Sequence, residues 1–326
     1  MKDVVHHKRL LASRCLLAAL AAALASACAS TGPAVADNPR DCLAATTLGQ
    51  LPNGHFLENL AVAPDGDVYL TDYFARTVRR YDRSDGLLPF ATLDAYPASI
   101  LPTQSGFLVA AHKEPFSEPA AFAGTGRMVL LDGAGATAKT IPLPEIGFAN
   151  GIEFAEPGEY YIADSLNGAV WLWNSRTDQL ELLVQSDLLK PEFAPIFLPG
   201  ANGVKRSSGF LYVSSSAARS IFRIPLDATG RARGELEVYL SGVGTDDFDF
   251  LPDGRLVIAT HGRELLVTRD AGAPRNVLCD DANAPTAVRA RSVSGQTVLF
   301  VTTTGHLLEG GNSPATLLQV RLPAQN

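Results

Sequence analysis

A short turn followed by an apolar run that ends in small or acidic residues occurs six times along the chain, at intervals of roughly 40 to 50 residues, the period of propeller blades. The turns are Pro64-Asp65-Gly66, Gln104-Ser105-Gly106, Pro157-Gly158-Glu159, Ser207-Ser208-Gly209, Pro252-Asp253-Gly254 and Ser294-Gly295-Gln296. The runs behind them are VYLTD, FLVAA, YYIAD, LYVSS, LVIAT and VLFVT. Each pair reads as a hairpin joining two strands. Apolar and polar side chains alternate over 77–81 and 220–224, as in strands half buried between neighbours, and helical periodicity is nearly absent. The expectation is an all-β, six-bladed β-propeller.

Within a repeat the order is inner strand, hairpin, second strand, loop, third strand, turn and outer strand. The third repeat shows it best, with strands predicted over 151–154, 160–163, 170–173 and 180–184. The sixth repeat runs out of sequence after its third strand at 316–322, so its outer strand is expected from residues 43–48, closing the ring by pairing the two ends of the chain. The GH and WD signatures of one common class of propeller scaffold are missing.

Residues 1–36 have the grammar of an export signal. Basic residues (Lys2, Lys8, Arg9, Arg14) precede an apolar stretch from Cys15 to about Ala25, too short for a spanning helix, and small residues follow. Cleavage before Cys28 would leave a cysteine for a lipid anchor, and cleavage after Ala36 would release a soluble chain. The propeller is assigned to 37–326. Removing residues 1–36 leaves 23 Lys and Arg against 33 Asp and Glu. A chain this acidic, with no basic cluster, excludes nucleic acid and anionic headgroups as natural partners. Cys42 and Cys279 remain, and their assigned places on two different outer strands favour separate buried thiols over a disulfide.

Inner strands all begin on one face of a propeller, and the loops between second and third strands return to that face. Oxygen-bearing side chains stand at four of those starts: Glu58, Asn150, Asn202 and Asp246. Asn-Gly and Asp-Asp are common turn residues taken singly. Four at homologous places form a set of hard donors suited to Ca²⁺ and unsuited to zinc. The histidines after the signal, His55, His112, His261 and His306, also fall on the mouth side, where an imidazole can accept a proton from water. His112, Asp246 and Asp247 are the candidate bases, and His55, His261 and His306 line the candidate pocket. Insertions over 113–126 and 185–199, the second carrying Phe193 and Phe197, are candidate lids that add an apolar wall. Ser214 to Ser216 lack a nucleophile elbow, and no Gly-rich phosphate loop is present.

The stretch from Ala201 to Gly242 and the sequence DDFDFLPDGRLVIATHG after it resemble the gluconolactonase and regucalcin-like propellers, with paraoxonases and strictosidine synthase-like proteins as more distant relatives. The resemblance covers about residues 50 to 320 and implies a catalytic divalent metal, usually calcium, on Glu58, Asn150 and Asp246. Asn202 is similar to a further ligand, and His112 to a lactonase histidine, of the paraoxonase branch. Departures are also visible. Glu58 is followed by Asn59-Leu60 instead of Gly-Pro and an aromatic residue, and the Glu of strictosidine synthases has no counterpart in 284–288. The resulting expectation is an exported, monomeric, calcium-dependent hydrolase opening a lactone or related ester. The rival expectation is a non-catalytic propeller that binds a ligand or protein over a structural metal.

Overall fold

A computed structural model describes residues 42–116, 121–194, 196–268 and 274–323. The export signal and the two alternative cleavage sites lie outside these residues. The described chain forms six four-stranded antiparallel sheets in sequence order. The first comprises β2 (Leu57–Val62), β3 (Val68–Asp72), β4 (Thr77–Asp82) and β5 (Gly86–Thr92), and the second β6 (Tyr96–Thr103), β7 (Gly106–His112), β8 (Gly126–Asp132) and β9 (Thr137–Pro142). The third comprises β10 (Ala149–Glu156), β11 (Glu159–Asp164), β12 (Ala169–Asn174) and β13 (Gln179–Gln185). The fourth comprises β14 (Ala201–Ser207), β15 (Phe210–Ser215), β16 (Ser220–Pro225) and β17 (Glu237–Ser241). The fifth comprises β18 (Phe248–Phe250), β19 (Leu256–Ala259), β20 (Leu265–Val267) and β21 (Arg275–Asn276). The sixth comprises β22 (Pro285–Val293), β23 (Gln296–Thr303) and β24 (Ala315–Arg321), completed at its outer edge by β1 (Thr46–Leu51).

All six predicted turns join an inner strand to the second strand of its blade. Ser208-Gly209 and Ser294-Gly295 place two successive residues at positive φ, the conformation that matches the right-handed twist of a two-residue hairpin. The runs behind the turns are unbroken because both faces of a blade are buried. In β7, Phe107, Val109 and Ala111 pack toward the first blade, while Leu108 and Ala110 pack toward the third. In β23, Leu299 and Val301 face the fifth blade, and Val298 and Phe300 face the first. One apolar cluster therefore fills each seam between adjacent blades. Among the described residues no helix is long and apolar enough to cross a membrane.

The closing strand forms as expected but lies three residues later, at Thr46–Leu51, where Thr46 pairs with Gln319 and Leu51 with Ala315. Residues before it have another task. Leu43 runs parallel to Leu278, its N–H donating to the Val277 carbonyl and its carbonyl accepting from Cys279 N–H. That pairing brings the Cα atoms of Cys42 and Cys279 to 4.9 Å and joins them in a disulfide, correcting the expectation of separate thiols. The two outer strands belong to neighbouring blades, the fifth and the sixth, a proximity that only ring closure creates. Reduction of this crosslink, or Cys279→Ser, is expected to lower stability by about 2–4 kcal/mol. Urea unfolding with and without dithiothreitol measures the difference.

Candidate functional site at the propeller mouth

The inner strands share an irregularity that sets the site. Register shifts fall between Leu57 and Asn59, Pro97 and Ser99, Ala149 and Ile152, Ala201 and Val204, and Pro285 and Ala287. In the fifth blade, Asp246 and Asp247 both bond through their backbones to the single residue Ala259. An extra residue at such a place breaks the alternation and re-aims the side chain. The residues so displaced are Glu58, Ala98, Asn150, Asn202, Asp246 and Thr286. Four blades thus contribute oxygen donors of the predicted set, and the second contributes only a methyl group.

The Asn-Gly pairs are not turns, since Gly151 and Gly203 lie inside strands and keep ordinary φ values. Glycine is required there by close approach. A Cβ on Gly151 would lie 2.4 Å from the Asn202 carbonyl oxygen, and one on Gly203 would lie 2.5 Å from Asp247 Oδ1.

Asn202 Nδ2 donates to Asp246 Oδ1 at 2.6 Å and to Ser216 Oγ at 3.0 Å. Asn150 Nδ2 donates to Ser165 Oγ at 3.2 Å, and that hydroxyl donates to the Ala201 carbonyl at 2.6 Å, tying the two Asn strands together. Both amides spend their nitrogens on the protein, and their oxygens have no partner among the described residues. Glu58 is half-buried and makes no hydrogen bond or ion pair among the described residues. Burial, reinforced by the charges of Asp246 and Asp247, holds its carboxyl well above the usual range. The second oxygen of Asp246 bonds His261 Nδ1 at 2.8 Å. Burial pulls the His261 pKa down, but the hydrogen bond and charge of Asp246 outweigh it and hold the ring above its ordinary value. His261 Nε2 is buried and has no partner among the described residues. The residue sits at a left-handed φ of 52°, strained for a side chain of this kind, and its ring packs on Phe56 at 5.7 Å.

Asp247 differs from its neighbour. Burial alone would raise its pKa, but Arg289 and Lys205 beside it hold the carboxyl below the usual range. It is the centre of an ion-pair network, with both oxygens committed. Asp249 faces the next blade, where its Oδ2 accepts from Ala290 N–H at 2.9 Å.

His112 is fully buried behind the mouth. Its Nε2 is hydrogen-bonded to the Tyr73 hydroxyl, whose oxygen also accepts from Phe116 N–H at 2.8 Å. Phe122 and Phe148 cover the ring. His55 is held by Asp72 at 2.7 Å, and His306 by Asp281 at 3.2 Å. The geometry therefore brings Asn202, Asp246 and His261 together, sets Glu58 within electrostatic reach of Asp246 and Asp247, links Asn150 to Asn202's strand through Ser165, and leaves His55, His112 and His306 in arrangements of their own. Phe197 packs on Phe122 and Phe148 at 6.0 and 6.1 Å, and Phe193, 56 % exposed, packs on Phe197 at 5.7 Å.

Sequence reasoning missed Ser165 and Ser216, which orient the Asn amides, and Ser214, whose Oγ donates to the Asp246 carbonyl at 2.7 Å. It also missed Asn59, Lys205 and Arg289 around Asp247. The signal for Lys205 and Arg289 is their spacing, each three residues after the displaced position of its strand. Among the described residues no group of three or more His, Cys, Asp or Glu side chains is disposed to hold a metal ion. The mouth offers two carboxylates, and its remaining donors are amide oxygens, a set that fits a hard cation completed by water.

No family model and no curated protein sequence matches the chain. Solved structures do. A calcium-binding protein, regucalcin, from Agrobacterium tumefaciens superposes with a TM-score of 0.64 at 15 % identity, over 87 % of this chain and 96 % of that one. Luciferin-regenerating enzyme gives 0.61 at 14 % identity over 84 % and 95 %, and a protein classed as a gluconolactonase gives 0.60 at 16 % over 87 % and 94 %. These are six-bladed propellers, and the chain has the fold of the gluconolactonase and regucalcin-like group. Identities this low carry the fold alone.

Burial pushes the His112 pKa from its ordinary 6.5 down to about 3. The unfolded chain then binds a proton at this position before the folded one does. The stability contributed by neutral His112 is present above about pH 6.5 and is lost as pH falls from there toward 3. Melting temperatures between pH 8 and pH 4 are expected to fall less steeply in His112→Gln than in the parent. Parallel curves would refute a buried neutral imidazole.

Proposed function

We propose that the chain is an exported, calcium-dependent hydrolase that opens a lactone or related ester in the propeller mouth. The observation that carries this reading is the unbalanced oxygen set at the axis. Glu58 has no protein partner among the described residues, burial and then the charges of Asp246 and Asp247 raise its pKa, and the Asn150 and Asn202 amide oxygens have no partner among the described residues. Regucalcin, with the same fold, is described as a calcium-binding protein, which supports the choice of ion.

Glu58, Asn150, Asn202 and Asp246 are the residues that would hold the ion. When bound, calcium would supply the positive charge that polarises a carbonyl and stabilises its oxyanion. The protein supplies the rest. Asn202 and His261 each hold one oxygen of Asp246, which fixes the carboxylate to take the proton of the attacking water. Phe193 and Phe197 form an apolar wall for the part of the substrate that does not react. A single chain provides every one of these groups, so a monomer is complete. The disulfide supports export, because such bonds persist in oxidising compartments.

A panel of lactones and esters, assayed with added calcium and with chelator, tests the reading. Activity is expected only with calcium. Glu58→Gln keeps the size and removes a charge, and is expected to abolish activity and weaken calcium binding in calorimetry while leaving the fold intact. Absence of calcium binding to the parent protein would refute the function. His261→Gln, which frees Asp246 on one side, is expected to lower turnover about 10- to 100-fold. His112→Gln is expected to stay within about tenfold, and a larger loss would return the base to His112.

The lid separates an enzyme with apolar substrates from a scaffold. Replacing Phe193 and Phe197 together by Ala is expected to raise KM for bulky apolar lactones far more than for small ones. An equal effect on every substrate would make the segment structural.

A further inference from the structure

Beneath the oxygen donors lies a buried ionic network that takes no part in the chemistry described above. Arg289, on β22 of the sixth blade and only 8 % exposed, donates from Nη1 to Asp247 Oδ2 at 2.5 Å and from Nη2 to Asn59 Oδ1 at 3.0 Å. Asn59 Nδ2 closes the triangle by donating to Asp247 Oδ2 at 3.3 Å. From the other side Lys205 Nζ, on the fourth blade, donates to Asp247 Oδ1 at 3.1 Å. Arg289 Nη1 and Lys205 Nζ are anchored in addition to the carbonyls of Val288 and Val204.

The positions of these contacts are informative. Asn59 follows Glu58 directly, and Asp247 follows Asp246 directly, each at a displaced strand start. The sixth blade stands between the blades that carry the two carboxylates, and at its own start it offers only Thr286, whose hydroxyl donates to the Leu57 carbonyl at 2.5 Å. The two nitrogens of one planar guanidinium thus hold the residue next to each carboxylate. A buried ion pair gains little net stability over well-packed apolar residues, so its retention points to a geometric task.

We propose that Arg289 is the positioning residue that sets the separation of Glu58 and Asp246, and thereby the size of cation the mouth accepts. The inference rests on the cation site proposed above and deepens it. Its rigid fork spans the two strands at a fixed width, which a lysine with a single flexible nitrogen does not reproduce. Ca²⁺ tolerates donors at 2.3–2.6 Å in adaptable geometry, whereas Mg²⁺ requires 2.0–2.1 Å and near-ideal octahedra, so a change in strand separation moves the two affinities unequally.

The test is calorimetric titration of the intact chain with CaCl₂ and, separately, MgCl₂, alongside melting in chelator. Arg289→Lys keeps the charge and loses the fork. It is expected to weaken calcium binding about 10- to 100-fold and to alter the calcium-to-magnesium ratio, with the melting temperature in chelator close to the parent's. Arg289→Met and Lys205→Met with Asp247→Leu remove the buried network without stranding one of its charges, and the triple variant is expected to fold and to show the same changed ratio. Parent-like affinities and ratio in both variants would overturn the proposal, as would a loss of both affinities in equal proportion that tracks a lowered melting temperature. A parent protein that binds calcium while the variants match it refutes Arg289 alone. One that binds neither ion refutes the cation site and this inference with it.

Discussion

Six inner strands converging on one axis leave little room for side chains, and much else in this molecule answers to that crowding. The displaced residue at each strand start turns one side chain toward the axis where regular alternation would not. Glycines follow the two Asn residues because a neighbouring backbone or carboxylate already occupies the space of a Cβ. Polar atoms drawn into so narrow a space must be bonded to one another, and the serines and threonines at the ends of second strands do this.

Asp246 and Asp247 are adjacent in sequence and opposite in circumstance. Asp247 is neutralised by Arg289 and Lys205, while Asp246 is held only by an amide and an imidazole. The consequence is a layer in which two basic groups meet one carboxylate, beside mouth carboxylates that have no Lys or Arg partner among the described residues. Burial raises the Glu58 pKa most, and the charges of Asp246 and Asp247 add to it.

The fold was legible in the sequence because turn chemistry and apolar runs are local properties. Ser208-Gly209 needs two residues at positive φ wherever it occurs, and FLVAA has no polar face to show to water. The places of Glu58, Asn150, Asn202 and Asp246 at the inner-strand starts were legible as well, since their placement relative to each turn repeats. What the sequence did not show depends on closure. Cys42 and Cys279 are 237 residues apart and meet only because the fifth and sixth blades end side by side. The Arg289 network joins residues from four blades, and only a three-residue step from Thr286, whose meaning depends on the displaced register, separates Arg289 from Arg291, two positions on and partly exposed. His112 has a sequence position suited to a base and an aromatic burial that closes it off, and burial by distant rings leaves no local mark.

The pairing of β1 with β24 also governs when the molecule can become whole. Thr46 finds its partner Gln319 only after nearly every intervening residue has been laid down, so the last seam is a contact of very high sequence separation. Such contacts close slowly, because loop entropy is spent before they are rewarded. Until then the outer edge of the sixth blade stays unpaired, an open template for another strand. A chain built this way cannot complete its ring while its C-terminal strand is still being synthesised. Closure of the ring is delayed by topology until that strand is available.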